Sequence, residues 1–128
     1  MKEEFSNGIY CMSKAAVLMM SRVLALELGS FGISAVSICP GYINTELLRN
    51  AWRGQAASRG ETPEQFTQEM ETTIPLGRLA EPEEIGEVVA FLFDDRSAYV
   101  DGTQLLIAGG KVMVSTAAEK SASGAAQF

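Results

Sequence analysis

The sequence predicts an α/β fold built on a parallel sheet, and three observations carry that prediction. A long helix-forming run, Gly8 to Leu28, is followed after Phe31-Gly32 by the short β-rich run Ile33–Cys39, closed by Pro40-Gly41. A second β-rich run, Thr103–Ala108, is closed by Gly109-Gly110, and a helical segment opening at Glu81-Pro82-Glu83-Glu84 precedes it. The first run carries small and apolar residues on both faces, which suits a covered parallel strand better than one with a face in water, and the second reads as another buried strand. Helix, turn and strand are half of a βαβ unit; the strand that would feed the helix is absent from the sequence.

The elements follow from local chemistry. Residues 1–7 are polar, and Ser6 or Asn7 offers an N-cap for the first helix. Gly29 stands where that helix would stop. Its apolar residues cover more than one stripe: Val17, Leu24 and Leu28 on one side, Leu18, Met19 and Met20 beside it. Such a helix is expected to be buried on more than one side, against the sheet and against a second partner such as the same helix of another subunit. Thr45 to Trp52 fits a short helix, and the small, polar stretch Gly54–Gly60 reads as a mobile loop. Thr62-Pro63-Glu64-Gln65 is a helix start, with Thr62 as N-cap, Pro63 at the first position and Gln65 placed for a capping box. Pro82 opens the next helix, whose acidic first turn complements the positive end of the dipole; its apolar set is Ile85, Val88, Val89, Phe91 and Leu92, and it ends at Asp94-Asp95. Residues 111–128, rich in Ser and Ala from Ser115 onward, are expected to form a disordered tail.

Composition narrows the function. The apolar fraction is 47% and the charged fraction 20%, values of a globular domain. With a net charge of −6 and no basic cluster, the chain is a poor partner for nucleic acid, whose phosphates need grouped Lys and Arg. There is no histidine, so any acid–base chemistry falls to Tyr, Lys or a carboxylate. Cys11 and Cys39 lie inside apolar elements without CxxC spacing and read as buried free thiols of a reducing compartment. No signal peptide is evident, and the run Ala15–Ala25, interrupted by Ser21 and Arg22, is too short to span a bilayer; the expected location is the cytoplasm.

Tyr10 and Lys14 stand four residues apart, on one face of the first helix and one turn from each other. A phenol and an ammonium placed so can reach one small-molecule centre, although the same spacing fits a half-buried tyrosine beside a snorkelling lysine. The order of further motifs decides between these readings. Pro40-Gly41-Tyr42-Ile43-Asn44-Thr45 follows the first strand, Ile74-Pro75-Leu76-Gly77-Arg78 leads into Glu81-Pro82-Glu83-Glu84-Ile85, and Tyr99-Val100-Asp101-Gly102 precedes the second strand. Over roughly residues 5–110 this ordered set resembles the C-terminal half of a short-chain dehydrogenase/reductase, most like the 3-oxoacyl-carrier-protein reductases and related sugar, polyol and steroid dehydrogenases.

The resemblance implies a Rossmann-type doubly wound parallel sheet over residues 1–110, hydride transfer between a nicotinamide cofactor and a carbonyl or alcohol substrate, and a variable substrate lid over about residues 46–75. The cofactor would be NAD(P), with NADP favoured over NAD. Tyr10 matches the family's acid/base. A free phenol ionises near pH 10, and a cation one turn away favours the phenolate; Lys14 matches that cation and also the residue that binds the cofactor ribose. Pro40 and Gly41 match the loop that meets the nicotinamide, just past the carboxyl end of a strand, where α/β sheets bind ligands. Ile43 matches a backbone contact to the carboxamide, and Thr45 a hydroxyl near the carboxamide or pyrophosphate. Leu47, Leu48, Trp52 and Phe66 either line a pocket or pack the lid itself. The family's full-length proteins are implied to be homo-oligomers, dimers or tetramers, with no nucleic acid or membrane partner.

Other parts of the family pattern do not occur. There is no G-x-G-x-x-G phosphate loop, and the catalytic serine is expected about a dozen residues before the tyrosine, where only nine residues stand. Ser6 is too close to Tyr10, and Ser13 lies within the YxxxK motif. The expectation is a partial gene product, inactive by itself, whose two strands leave an open sheet edge. The alternative is a non-catalytic remnant that acts only by associating with intact relatives.

Overall fold

The computed structural model describes residues 3–111. The chain opens with helix α1, Glu3–Leu28, 26 residues long. Ser6 and Asn7 are therefore helical positions and not caps. The α-helix ends at Leu28, as expected from Gly29, and Gly29–Phe31 tighten into a 3-10 turn. Gly32, at φ 73°, ends it by donating its N–H to the Gly29 carbonyl, because only a residue without Cβ enters that left-handed region freely.

Strand β1, Ser37–Pro40, pairs in parallel with β2, Gln104–Ile107, in the register Ser37 to Gln104 through Pro40 to Ile107. Both strands are shorter than the sequence suggests. Residues 33–36 lie outside the ladder because their neighbour is a turn: the Ala35 N–H donates to Asp101 Oδ1 at 2.7 Å, and the Gly102 N–H donates to the Ala35 carbonyl at 3.0 Å. Between the strands run α2, Glu46–Arg59, α3, Pro63–Thr72, and α4, Pro82–Leu92, then a 3-10 turn at Asp95–Ser97.

Helix α2 includes most of the stretch read as a mobile loop. Gly54 in a helix interior costs about 1 kcal/mol relative to alanine. The burial of Trp52 and Ala56 on the face toward α3 outweighs it, and the left-handed Gly60 stops the helix. The start of α3 is the capping box expected: Thr62 Oγ1 accepts from the Gln65 N–H at 3.2 Å, and Gln65 Oε1 accepts from the Thr62 N–H at 3.0 Å. Pro82 stands at the head of α4.

The buried core is Trp52, Ala56, Phe66, Ile74 and Leu79, with Tyr42, Leu48 and Met70 packed on it. It belongs to the α2–α3 hairpin and its stems, not to α1. The expectation that α1 is buried on more than one side fails within this chain. Ala25 is its one buried residue among those described, and Val17, Met19, Met20, Val23, Leu24 and Leu26 are exposed. Cys11, expected to be buried, is exposed, and Cys39 is half-buried. The segment Gly8–Phe31, 24 residues at mean hydropathy 1.5, extends beyond Ala15–Ala25 on both sides and, against the expectation from that shorter run, is long and apolar enough for a membrane span by length and composition alone. Beyond Lys111 the expected disordered tail lies outside the described residues.

Candidate active site

Two clusters of the expected site residues form, on two different elements. On α1, Lys14 Nζ lies 5.4 Å from the Tyr10 ring centroid, within cation–π range. Tyr10 remains 59% exposed, so phenol and ammonium both face accessible space. Ser13, between them, spends its hydroxyl on the Tyr10 carbonyl at 2.7 Å. The helical spacing alone accounts for this pair.

The second cluster follows β1. Pro40 is the last residue of the ladder, and the Gly41 N–H extends the pairing by donating to the Ile107 carbonyl at 2.9 Å. A Cβ on Gly41 would lie 2.9 Å from both Cα and Cβ of Ala108, so glycine is required here by the neighbouring backbone. Ile43 forms an isolated parallel bridge with Ala80: the Ala80 N–H donates to the Tyr42 carbonyl at 3.1 Å and the Asn44 N–H to the Ala80 carbonyl at 2.8 Å. The Ile43 carbonyl accepts from Thr45, and the Ile43 N–H has no acceptor among the described residues. Thr45 caps α2, its Oγ1 accepting from the Leu48 N–H at 3.2 Å, which leaves its own O–H free to donate. No described hydrogen bond joins the two clusters. Ala25 packs beside Gly102, at the amino end of β2, and Tyr10 stands fifteen residues further back along α1, about 22 Å at helical rise.

Residues outside the expected site set also hold the strand exit. Asn44 donates its side-chain amide to the Glu81 carboxylate at 3.0 Å and accepts from Arg49. Arg78 makes a two-pronged ion pair with Glu84, both bonds at 2.7 Å. That guanidinium, and then the Glu81 backbone N–H, lower the Glu84 pKa from 4.5 to about 2. Lys111 Nζ lies 5.0 Å from the Tyr42 ring centroid and donates to Thr73 Oγ1. The signal for Arg78–Glu84 was present as a basic residue just before an acidic first turn. Lys111 had none, because it reaches Tyr42 only through the parallel pairing.

A cavity of about 90 Å³ lies where the strands end, lined by Tyr42, Leu76, Arg78, Glu84, Ile107 and Gly109 among others. It is smaller than the roughly 300 Å³ at which small-molecule pockets begin, so it is no substrate pocket by itself. The four apolar residues considered for a pocket divide. Phe66 and Trp52 are buried in the hairpin core, their rings edge-to-face at 5.9 Å, and Leu48 packs on that core. Leu47 is 82% exposed.

A parallel sheet whose crossover carries a helix, with a glycine-bearing loop at its carboxyl end and a Tyr/Lys pair on the preceding helix, defines a class: α/β proteins that bind ligands at the strand ends. Comparison with known proteins specifies the class. Residues 3–111 match the family model described as enoyl-(acyl carrier protein) reductase. Oxidoreductase UcpA of Escherichia coli O157:H7 is 42% identical over 107 residues, covering 84% of this chain and 40% of that protein. The NAD-dependent glycerol dehydrogenase of Listeria innocua is 38% identical over 101 residues, covering 79% and 36%. Among solved structures, a short-chain dehydrogenase family protein from Francisella tularensis superposes with TM-score 0.77 at 36% identity, over 80% of this chain and 42% of that one. L-Sorbose reductase from Gluconobacter frateurii, complexed with NADPH and L-sorbose, superposes with TM-score 0.76 at 29% identity, over 83% and 41%. The chain belongs to the short-chain dehydrogenase/reductase family. Its fold is the corresponding C-terminal region of a Rossmann-type sheet, and it spans about 40% of the length of the curated relatives it matches.

Proposed function

We propose that this chain carries the acid–base half of an NAD(P)-dependent oxidoreductase acting on a small alcohol or carbonyl compound. The observation that carries the reading is the Tyr10–Lys14 pair, formed at 5.4 Å and open to solvent, in a family whose members here are named dehydrogenases and reductases. In this reading the Tyr10 hydroxyl gives its proton to the carbonyl oxygen during reduction and takes it back from the alcohol during oxidation. Lys14 holds positive charge beside the ring where the oxyanion develops. The residues present fit a nicotinamide group. Lys14 supplies ammonium donors, Ile43 an N–H without an acceptor among the described residues, and Thr45 an O–H, the last two on the loop that Pro40 and Gly41 turn past the strand end. The cofactor supplies the hydride acceptor or donor.

NADP is proposed ahead of NAD because two of the similar solved structures hold NADPH, although one curated relative is NAD-dependent. The α2–α3 hairpin is proposed as the substrate lid. A cytoplasmic setting is proposed because the family match runs through the whole of Gly8–Phe31, which makes that helix part of an α/β fold.

The test joins this chain to a dinucleotide-binding half from a relative and replaces Tyr10 by Phe. Turnover is expected to fall by about 10²–10⁴-fold, with an unchanged circular dichroism spectrum; normal activity in Tyr10→Phe would refute the assignment. The chain alone is expected to bind dinucleotide weakly, and micromolar NADPH binding by a monodisperse monomer would overturn the half-site reading.

The exposed apolar face of α1 favours a second reading, in which the chain acts by association with intact family members. Co-purification with such a member, and loss of it on Met19→Lys with Val23→Lys, separates that reading from the first.

A further inference from the structure

We propose that the groove between α2 and α3 binds the phosphate group of a small hydroxylated phosphate ester. The groove measures about 340 Å³ and is lined by Arg49, Trp52, Arg53, Pro63, Glu64 and Thr67, with Gln68 beside them. Arg49 and Arg53 stand one turn apart on α2, so their guanidinium groups share one face.

Arg49 and Arg53, like Arg22, have no carboxylate partner among the described residues, and unlike Arg22 they stand together on one helix face and line this groove. Arg59, Arg78 and Arg96 each meet a carboxylate, at 3.4, 2.7 and 2.8 Å. Arg49 and Arg53 donate instead to the neutral amide oxygens of Asn44 and Asn50, and neither lies within salt-bridge distance of a carboxylate among the described residues. A guanidinium carries five N–H donors, so most of this donor capacity is unspent. Shortage of acid does not explain it: the chain has 16 Asp and Glu against 10 Lys and Arg. Like charges at this spacing repel, and a dianion between them removes that cost. A phosphate ester is such a dianion near neutral pH, and its oxygens match the planar guanidinium fork.

The opposite wall defines the rest of the ligand. Glu64, Thr67 and Gln68 offer acceptors and donors suited to hydroxyl groups, and Pro63 and the edge of Trp52 give an apolar shelf. A second anionic group at that wall would meet the Glu64 carboxylate. The site therefore takes one phosphate on a neutral, hydroxyl-bearing body. It lies outside the Tyr10–Lys14 cluster, and its test reads binding alone, independently of hydride transfer.

Trp52 is the only tryptophan of the chain and lines the groove, so its emission reports occupancy. Glycerol 3-phosphate is titrated into the full chain at constant ionic strength, with chloride as the balancing anion. A saturable change is expected, absent with glycerol, and weakened at least about tenfold, or 1.4 kcal/mol, in the Arg49→Gln, Arg53→Gln double variant. Arg53→Gln alone, which leaves the Asn44 contact in place, is expected to weaken binding in the same direction, and Arg96→Gln to leave it unchanged. A linear response that follows ionic strength, or equal affinity in the double variant, overturns the proposal. Equal affinity for inorganic phosphate and glycerol 3-phosphate upholds the paired arginines and overturns the role given to the opposite wall.

Discussion

Gly41 and Glu84 show how single residues fix the strand exit. Replacing Gly41 by Ala drives a methyl group to 2.9 Å from the Ala108 backbone, and the strand pair has to shift. Overpacking of this kind costs about 1–3 kcal/mol, read as a lower urea midpoint. Gly109→Ala adds a left-handed backbone, at φ 59°, to a 2.9 Å contact with Ile74 Cγ2, and is expected to be at least as damaging. Glu84 gives a pH signature. Its folded pKa, about 2, lies below its ordinary 4.5, so its pairing with Arg78 stabilises the fold above that ordinary value and is lost as pH falls toward 2. The stability difference between the parent chain and Glu84→Gln, measured by urea at pH 7 and at pH 2, is expected to be present at the first and nearly absent at the second. A difference that survives at pH 2 would assign the effect to packing.

At the scale of elements, the sequence was most legible where capping chemistry wrote the boundary. Thr62-Pro63-Glu64-Gln65 and Glu81-Pro82 place the starts of α3 and α4 where the structure has them, because each requires particular side chains at particular positions. Gly54–Gly60 reads as a loop in the sequence because local propensity cannot register that Ala56 is fully buried against the neighbouring helix. The strands were overextended because the hydrophobic pattern of Ile33–Val36 continues past the last partner that can pair with it. Trp52 and Phe66 were ambiguous between pocket and core for the same reason: both uses demand apolar residues, and only the packing partner distinguishes them. Phe66→Ala is expected to cost about 3–5 kcal/mol, and Thr62→Ala about 1 kcal/mol. Hydrogen exchange should show the first opening both hairpin helices and the second fraying only the start of α3.

Among the described residues, the molecule puts its buried core in one place and a run of exposed apolar side chains in another. The hairpin encloses Trp52, Ala56 and Phe66, while α1 leaves Val17, Met19, Met20, Val23, Leu24 and Leu26 exposed beside a two-stranded sheet. Exposed apolar surface on this scale drives association. The isolated chain is expected to sediment as oligomers, and Val23→Glu with Leu26→Glu to shift it toward monomer without loss of helical signal. The Tyr10–Lys14 pair and the Pro40–Thr45 loop were readable as site candidates because each is a short local pattern. What links the loop to the rest, Asn44 to Glu81 and Tyr42 to Lys111, was not, because those partners meet only through the fold.

The register that sets Ser37 opposite Gln104 also orders events in time. The sheet closes a loop of 67 residues, whereas Trp52 and Phe66 meet across 14. Closure entropy grows with loop length, and pairing of distant segments slows folding. The hairpin core is thus expected to gain protection before β1 and β2 do in pulse-labelled hydrogen exchange. During that interval the unpaired Ser37–Pro40 and Gln104–Ile107 backbones are open to strands of other chains, so aggregation on refolding should rise steeply with protein concentration and fall once the sheet has closed.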